Sequence, residues 1–123
     1  MEYENERRKY FENKNYIKEA KKDEWVKIQN SVEYVLDFYE KIGTFVKSKA
    51  LSISSVYDLY SYYIQGYWEL AEKSGFIERD RKEHEGGEDL YIETKNLYKM
   101  ILKERNLRPF TKEGLKKFCE EER

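Results

Sequence analysis

The sequence predicts an all-α protein, a small antiparallel bundle of about four to five helices. Its 123 residues include one proline and six glycines, too few turn-forming residues for a multi-stranded sheet. Apolar residues recur at spacings of three and four, the period of an amphipathic helix. Aromatic residues make up 16% of the chain and supply a core although 40% of the residues are charged. At this length we expect a single helical domain over residues 1–123.

The first residues, 1–22, predict a peripheral or partly ordered N-terminal helix. Tyr3, Tyr10 and Ile17 lie seven apart and form only a thin apolar face. This region lacks the basic and apolar segments of a signal peptide. The longest uncharged stretch, ten residues from 59 to 68, is half of the roughly twenty that a membrane span needs. Cys119 is the only cysteine, so we expect no internal disulfide. From these features together we expect a cytoplasmic protein with no membrane association.

The first long helix follows from an unbroken apolar stripe with alternating spacings of three and four. The stripe consists of Trp25, Ile28, Val32, Val35, Tyr39, Ile42 and Val46. Phe38 and Phe45 widen it to the broad face of a bundle helix. Gly43 lies inside the pattern and costs about 1 kcal/mol relative to alanine. A close helix–helix approach or a break in the helix would each explain that glycine.

A second helix follows a linker, residues 48–55, that contains four serines. Ser54 or Ser55 is the predicted N-cap, with Asp58 in the first turn. The stripe that follows consists of Val56, Tyr60, Tyr63, Tyr67 and Leu70. Because other apolar residues flank this stripe, we expect this helix to be the most buried in the molecule. Gly75 is the expected stop.

The remaining chain predicts a charged loop and two more helices. Residues 78–89 are almost wholly charged and predict a surface loop, with room for a short helical turn at its start. A helix is expected from about Glu88 to Arg105, with Leu90, Thr94, Leu97 and Ile101 along one edge. Thr111 is the predicted N-cap of a last short helix whose Leu115 and Phe118 face the core.

Several segments together resemble an uncharacterised family of bacterial and phage helical proteins, known only as a domain of unknown function. The residues that carry the resemblance are VLDFYEKIG at 35–43, the serine-bounded linker, Tyr67-Trp68-Glu69, and Arg79 before an acidic loop. The family pattern for the first segment is roughly V-L-N-F-F-E-x-I-G. The resemblance extends from about Trp25 to Leu102 and implies an all-α fold but no chemistry. Many members carry an N-terminal membrane helix, from which this chain departs.

No combination of residues in the sequence predicts an enzyme, a cofactor site or a metal site. Asp80, His84 and Glu88 have a spacing compatible with metal ligation, but a solvated charged loop is the favoured interpretation. A catalytic carboxyl group needs apolar surroundings that raise its pKa. The carboxylates with apolar neighbours are Asp37, Glu40, Asp58 and Glu69.

Tyrosines around the second helix predict a protein–protein interface. One intramolecular core does not accommodate all of Tyr57, Tyr60, Tyr62, Tyr63 and Tyr67. Tyrosine gives large contact area and a hydroxyl that tolerates water, so interfaces favour it. The alternative is that tyrosine merely replaces phenylalanine and leucine in the core. If this helix forms the interface, its centre should hold Tyr63 and Tyr67 with Trp68 at the flank. From the helical spacing we expect Tyr60 and Tyr67 to be largely core and Tyr57 and Tyr62 to point outward.

Three lysines, Lys95, Lys99 and Lys103, share one face of the predicted 88–105 helix. They predict a solvated face, a phosphate contact, or a contact with the acidic loop of another subunit. The leading hypothesis from the sequence is a non-enzymatic helical protein that acts through protein–protein contacts, as a homodimer. The alternative is a nucleic-acid-associated accessory factor of a phage or mobile element.

Overall fold

The computed structural model describes residues 16–121, so the expectations for Tyr3 and Tyr10 lie outside the described residues. This part of the chain contains helices and no strand, which confirms the predicted all-α class. Five of its helices have eight or more residues. The helices are α1 (Tyr16–Glu19), α2 (Lys22–Lys47), α3 (Ile53–Lys73), α4 (Phe76–Glu83), α5 (Ile92–Glu104) and α6 (Lys112–Glu121), with a 3₁₀ turn at Gly87–Asp89. Among these residues no helix combines the length and the apolar character needed to cross a membrane.

One hydrophobic cluster joins the three longest helices, α2, α3 and α5. Its buried members are Tyr39, Ile42, Val46, Val56, Ile64, Leu97 and Ile101. A Cβ atom added to Gly43 would lie 2.6 Å from the backbone oxygen of Glu93. Gly43 therefore marks a close approach of α5, and α2 continues through it without a break.

A second hydrophobic cluster joins the N-terminal half of α2 to α4 and α6. It includes Trp25, Ile28, Leu36, Trp68, Phe76, Leu115 and Phe118, which are all buried. Phe118 lies directly over Gly66, where a larger residue would collide with its ring. The prediction that Leu115 and Phe118 face the core is confirmed, and Thr111 caps α6 by accepting a hydrogen bond from the Gly114 amide at 3.0 Å.

The ends of α3 differ in how well the sequence predicts them. Ser52 is the N-cap, because its hydroxyl oxygen accepts a hydrogen bond from the Ser55 amide at 3.2 Å. The prediction of Ser54 or Ser55 is therefore wrong. Asp58 lies beyond the first turn and pairs with Arg105 at 3.1 Å. At the other end, Gly75 adopts a φ of 86°, and this left-handed conformation confirms the predicted stop.

The charged segment after Gly75 is wrongly predicted as a loop. Residues 76–83 form α4, and its Asp80 is fully buried. The next helix begins at Ile92 rather than near Glu88, because Tyr91 has a left-handed φ of 66°. The Glu40 carboxylate of α2 accepts hydrogen bonds from the Glu93 and Thr94 amides at the start of α5. A side chain distant in sequence thus supplies the cap of α5.

Helix α1 is held against α2 and α4 by Arg79. Its guanidinium donates hydrogen bonds to the backbone oxygens of Ile17, at 2.6 Å, and Ala20, at 2.9 Å. The same group lies 4.2 Å from the centre of the Trp25 ring. Ile17 is buried beneath this arrangement. Arg79 therefore satisfies the free carbonyl groups at the C-terminal end of α1.

Candidate functional sites

The residues predicted to form an interface do not all reach the surface. Tyr62 and Tyr63 are 41% and 39% exposed. Tyr57 is half-buried beneath the Arg105 guanidinium, whose central carbon lies 4.3 Å from its ring centre. Trp68 is only 1% exposed, so it belongs to the core and not to the flank of a surface. Tyr60 and Tyr67, expected to be largely core, are both half-buried.

Four of the exposed apolar side chains of α2 and α3 define what we call the aromatic face: Phe38, Leu59, Tyr62 and Tyr63. Leu59 is 67% exposed and Phe38 46%. Phe38 contacts the half-buried Tyr60 across the helix pair, and Tyr62 contacts Tyr63. Leu59 lies one turn from Tyr63 on α3, so these residues share one side of that helix.

The three predicted lysines lie along α5. Lys99 and Lys103 are exposed and Lys95 is half-buried. The exposed side of α5 also carries Met100, which is 41% exposed. The lysines therefore share their surface with an apolar side chain.

A separate group, which we call the acid–imidazole cluster, consists of Glu33, Asp80 and His84. One ligand atom from each of these residues lies within 4.8 Å of the others. Asp80 lies on α4, His84 directly follows the last residue of that helix, and Glu33 comes from α2. The spacing in the sequence indicated Asp80 and His84 with Glu88, but Glu88 is exposed and the third carboxylate of the cluster is Glu33. Sequence reasoning missed Glu33 because it lies 47 positions before Asp80.

Hydrogen bonds from two other elements fix the Asp80 carboxylate. Gln29 of α2 donates to its Oδ1 at 3.0 Å, and the Tyr91 hydroxyl donates to its Oδ2 at 2.6 Å. The Nδ1 atom of His84 is 2.9 Å from the Asp80 backbone oxygen and 3.5 Å from Oδ1. Each carboxylate oxygen therefore has a neutral donor, and the imidazole lies beside Oδ1.

The electrostatics of the acid–imidazole cluster reflect an excess of negative charge. Burial, followed by the hydrogen bond and charge of Asp80, raises the pKa of Glu33 to about 7. Burial also raises the pKa of Asp37, and the charges of Asp80 and Glu40 add to that effect. The hydrogen bond to the Asp80 backbone raises the pKa of the His84 imidazole. Each of these pKa shifts favours the protonated form of its group.

The other carboxylates with apolar sequence neighbours have structural roles. Glu40 caps α5, and Asp58 forms an exposed ion pair with Arg105. Glu69 is 2% exposed and accepts hydrogen bonds from the Tyr98 hydroxyl and the Phe110 amide. Burial and the neighbouring Glu69 raise the pKa of Tyr98.

A family model matches residues 1–101, more than four fifths of the chain. The chain belongs to this family, DUF4760, a domain of unknown function. Neither the curated proteins nor the solved structures include a match to this sequence.

The DUF4760 match includes both surfaces of interest and stops before the last helix. The aromatic face and the acid–imidazole cluster lie inside the matched residues. The match ends within α5, so α6 and the Phe118 ring over Gly66 lie beyond it. Membership in DUF4760 agrees with the resemblance seen in the sequence.

Proposed function

We propose that this DUF4760 protein is a non-enzymatic cytoplasmic protein that acts through protein–protein contacts and forms a homodimer through the aromatic face. The observation that carries the proposal is the distribution of charge along α3. The 16 residues from Ile53 to Trp68 include one charged side chain, Asp58, in a chain that is 40% charged. Depletion of charge together with exposed aromatic rings is typical of the centre of an interface.

The chemistry of the aromatic face favours a second copy of the chain as the partner. A two-fold interface places each patch opposite the same patch, so a charged patch would meet its own sign. Phe38, Leu59, Tyr62 and Tyr63 carry no charge, and the two tyrosine hydroxyls both donate and accept hydrogen bonds. The one charge within the first 16 residues of α3, on Asp58, is paired with Arg105 of the same chain. Self-association through this part of α3 therefore brings no unpaired charge of that segment to the interface.

Sedimentation equilibrium at micromolar concentration tests the dimer. We expect a mass of about twice the 15.1 kDa of one chain, and a shift toward one chain mass in Leu59→Glu and Tyr63→Glu. Truncation of central interface anchors typically costs 2 kcal/mol or more of association free energy, about a thirtyfold change in dissociation constant. Met100→Glu is the matched control, since Met100 is as exposed as Tyr62 but lies on α5. A folded monomer at every concentration contradicts the homodimer.

The exposed Lys99 and Lys103 support a second proposal, a nucleic-acid-associated accessory factor. Lysines one turn apart on a helix can bind neighbouring phosphates, and removal of one such lysine lowers the log–log slope of affinity against salt by about 0.9. We expect Lys99→Glu to weaken binding to DNA and RNA duplexes and to reduce that slope. Lys27→Glu on α2 is the control. Absence of binding at low salt rejects this second proposal.

A further inference from the structure

Asp80 is an unusual buried acid. Its side chain is fully buried. Fully buried carboxylates are normally paired with arginine or lysine, or they coordinate a metal ion. Within residues 16–121 the basic group that pairs with Asp80 is the His84 imidazole, at 3.5 Å. Among the described residues, the fold thus brings a second carboxylate, Glu33, to a buried carboxylate that has no lysine or arginine paired with it.

The geometry of the acid–imidazole cluster matches that of a small metal site. His84 follows Asp80 by four residues, directly after the end of α4, and its Nδ1 atom lies 2.9 Å from the Asp80 backbone oxygen, which keeps the two side chains close together. Two ligands of a tetrahedral zinc ion with bonds of 2.0–2.1 Å are roughly 3.3 Å apart. The separation of His84 Nδ1 and Asp80 Oδ1, 3.5 Å, is close to that value. Glu33 supplies the third ligand atom, within 4.8 Å of the other two.

The surroundings of Asp80 resemble the outer shell of a metal site. Groups that donate hydrogen bonds to a ligating carboxylate fix its orientation. Gln29 and Tyr91 do this for Asp80, one at each oxygen. A carboxylate oxygen has two lone pairs, so an Asp80 oxygen that accepts one of these hydrogen bonds can also bind an ion once Glu33 has lost its proton. The His84 side chain is 45% exposed, which gives an ion a path from solvent to the buried carboxylate.

We propose that Glu33, Asp80 and His84 bind one divalent zinc-like transition metal ion. Two carboxylates and one imidazole form a donor set of borderline hardness, which suits Zn²⁺ better than Mg²⁺. Three protein ligands leave one position of a tetrahedral ion for water. The ion takes the place of protons. Glu33 binds as a carboxylate, so a proton on its carboxyl group is released to solvent. His84 binds through Nδ1 as the neutral imidazole with its proton on Nε2, so an imidazolium also releases one proton.

Zinc titration of the metal-free, tag-free full chain, followed by NMR and calorimetry, tests the site. His84 is the only histidine, so its imidazole gives a single set of ¹H–¹⁵N signals. We expect these signals to shift until one Zn²⁺ per chain has been added. We also expect Glu33→Gln to raise the dissociation constant for zinc at least tenfold. Tenfold is the lower end of the effect seen when a group that supports a metal ligand is removed.

Glu88→Gln is the matched control, because Glu88 is an exposed carboxylate at the other position that the sequence suggested. We expect its zinc affinity to equal that of the wild type. Circular dichroism establishes that each variant is folded. Glu33 is partly exposed, so the comparison uses its variant and not a variant of the fully buried Asp80. Three results would each overturn the proposal. Zinc affinity could weaken equally in Glu33→Gln and Glu88→Gln, it could be unchanged in Glu33→Gln, or the His84 signals could fail to shift when zinc is added.

Discussion

Glu69 illustrates at the residue scale how the core accommodates a charge. Its carboxylate is 2% exposed and receives the Tyr98 hydroxyl at 2.9 Å and the Phe110 amide at 2.8 Å. The Lys73 ammonium lies 3.8 Å away with half of its side chain in solvent. Buried charges persist in proteins when hydrogen bonds and a counter-charge replace water. Glu69 thereby connects α3 to α5 and to the segment before α6.

Replacing Glu69 with alanine is expected to lower the free energy of unfolding by several kcal/mol. The substitution leaves two donors without a partner, and each unsatisfied buried donor costs about 1–3 kcal/mol. Glu72→Ala, three residues later and exposed, is the control and should change stability by less than about 0.5 kcal/mol. Urea denaturation measures both variants. Equal effects of the two substitutions would show that the Glu69 hydrogen bonds do not stabilise the fold.

Periodicity predicted the apolar stripes but not the roles of buried polar residues. The stripe of α2 from Trp25 to Val46 and the core positions Leu97 and Ile101 of α5 follow directly from spacing. Glu69 looks like a solvated residue in the sequence because its partners, Tyr98 and Phe110, lie 29 and 41 positions away. Long-range hydrogen bonds leave no local pattern. The same limit explains why Glu33 was missed.

Helix α4 shows at the element scale why a charged segment was wrongly predicted. Its buried residues are Phe76, Ile77 and Asp80. A carboxylate therefore occupies a buried position where the helical period predicts an apolar side chain. Gln29 and Tyr91 satisfy that carboxylate from outside the helix. The left-handed glycines Gly75 and Gly86, at either side of the segment, were the available signals of a short helix.

Serine substitutions before α3 distinguish the observed N-cap from the predicted one. We expect Ser52→Ala to destabilise the protein by about 1 kcal/mol, because the Ser55 amide loses its acceptor. Ser54→Ala should have a smaller effect, since the Ser54 hydroxyl makes only an exposed contact of 3.3 Å with Glu104. Thermal unfolding of the two variants measures the difference. A larger loss of stability in Ser54→Ala would place the start of α3 two residues later.

At the scale of the whole molecule, two hydrophobic clusters meet at shared aromatic residues. Tyr67 of α3 and Tyr98 of α5 pack against both clusters, so α2, α3 and α5 share a continuous apolar interior. Helix α6 contacts this unit mainly at α3, through Phe118 and Leu115. Helix α6 also lies outside the residues that the family model matches.

We expect hydrogen exchange to separate the central helices from α6. Elements that pack against few other elements open at lower free energy than the core, and α6 packs mainly against α3. Amides in the middle of α2, α3 and α5 should therefore exchange slowest, and those of α6 should exchange faster without global unfolding. Exchange followed by mass spectrometry resolves these segments. Protection of α6 equal to that of α3 would show that all described helices open together.

The position of Cys119 gives this arrangement a practical consequence. The thiol is the only one in the chain, and it is buried in α6 beside Phe118. A disulfide reagent therefore modifies it only when α6 leaves the Gly66 surface, because reaction requires an accessible thiolate. The labelling rate in excess reagent reports how often that helix detaches. Each unaltered molecule thus carries one internal chemical probe of its own C-terminal docking, with no introduced label.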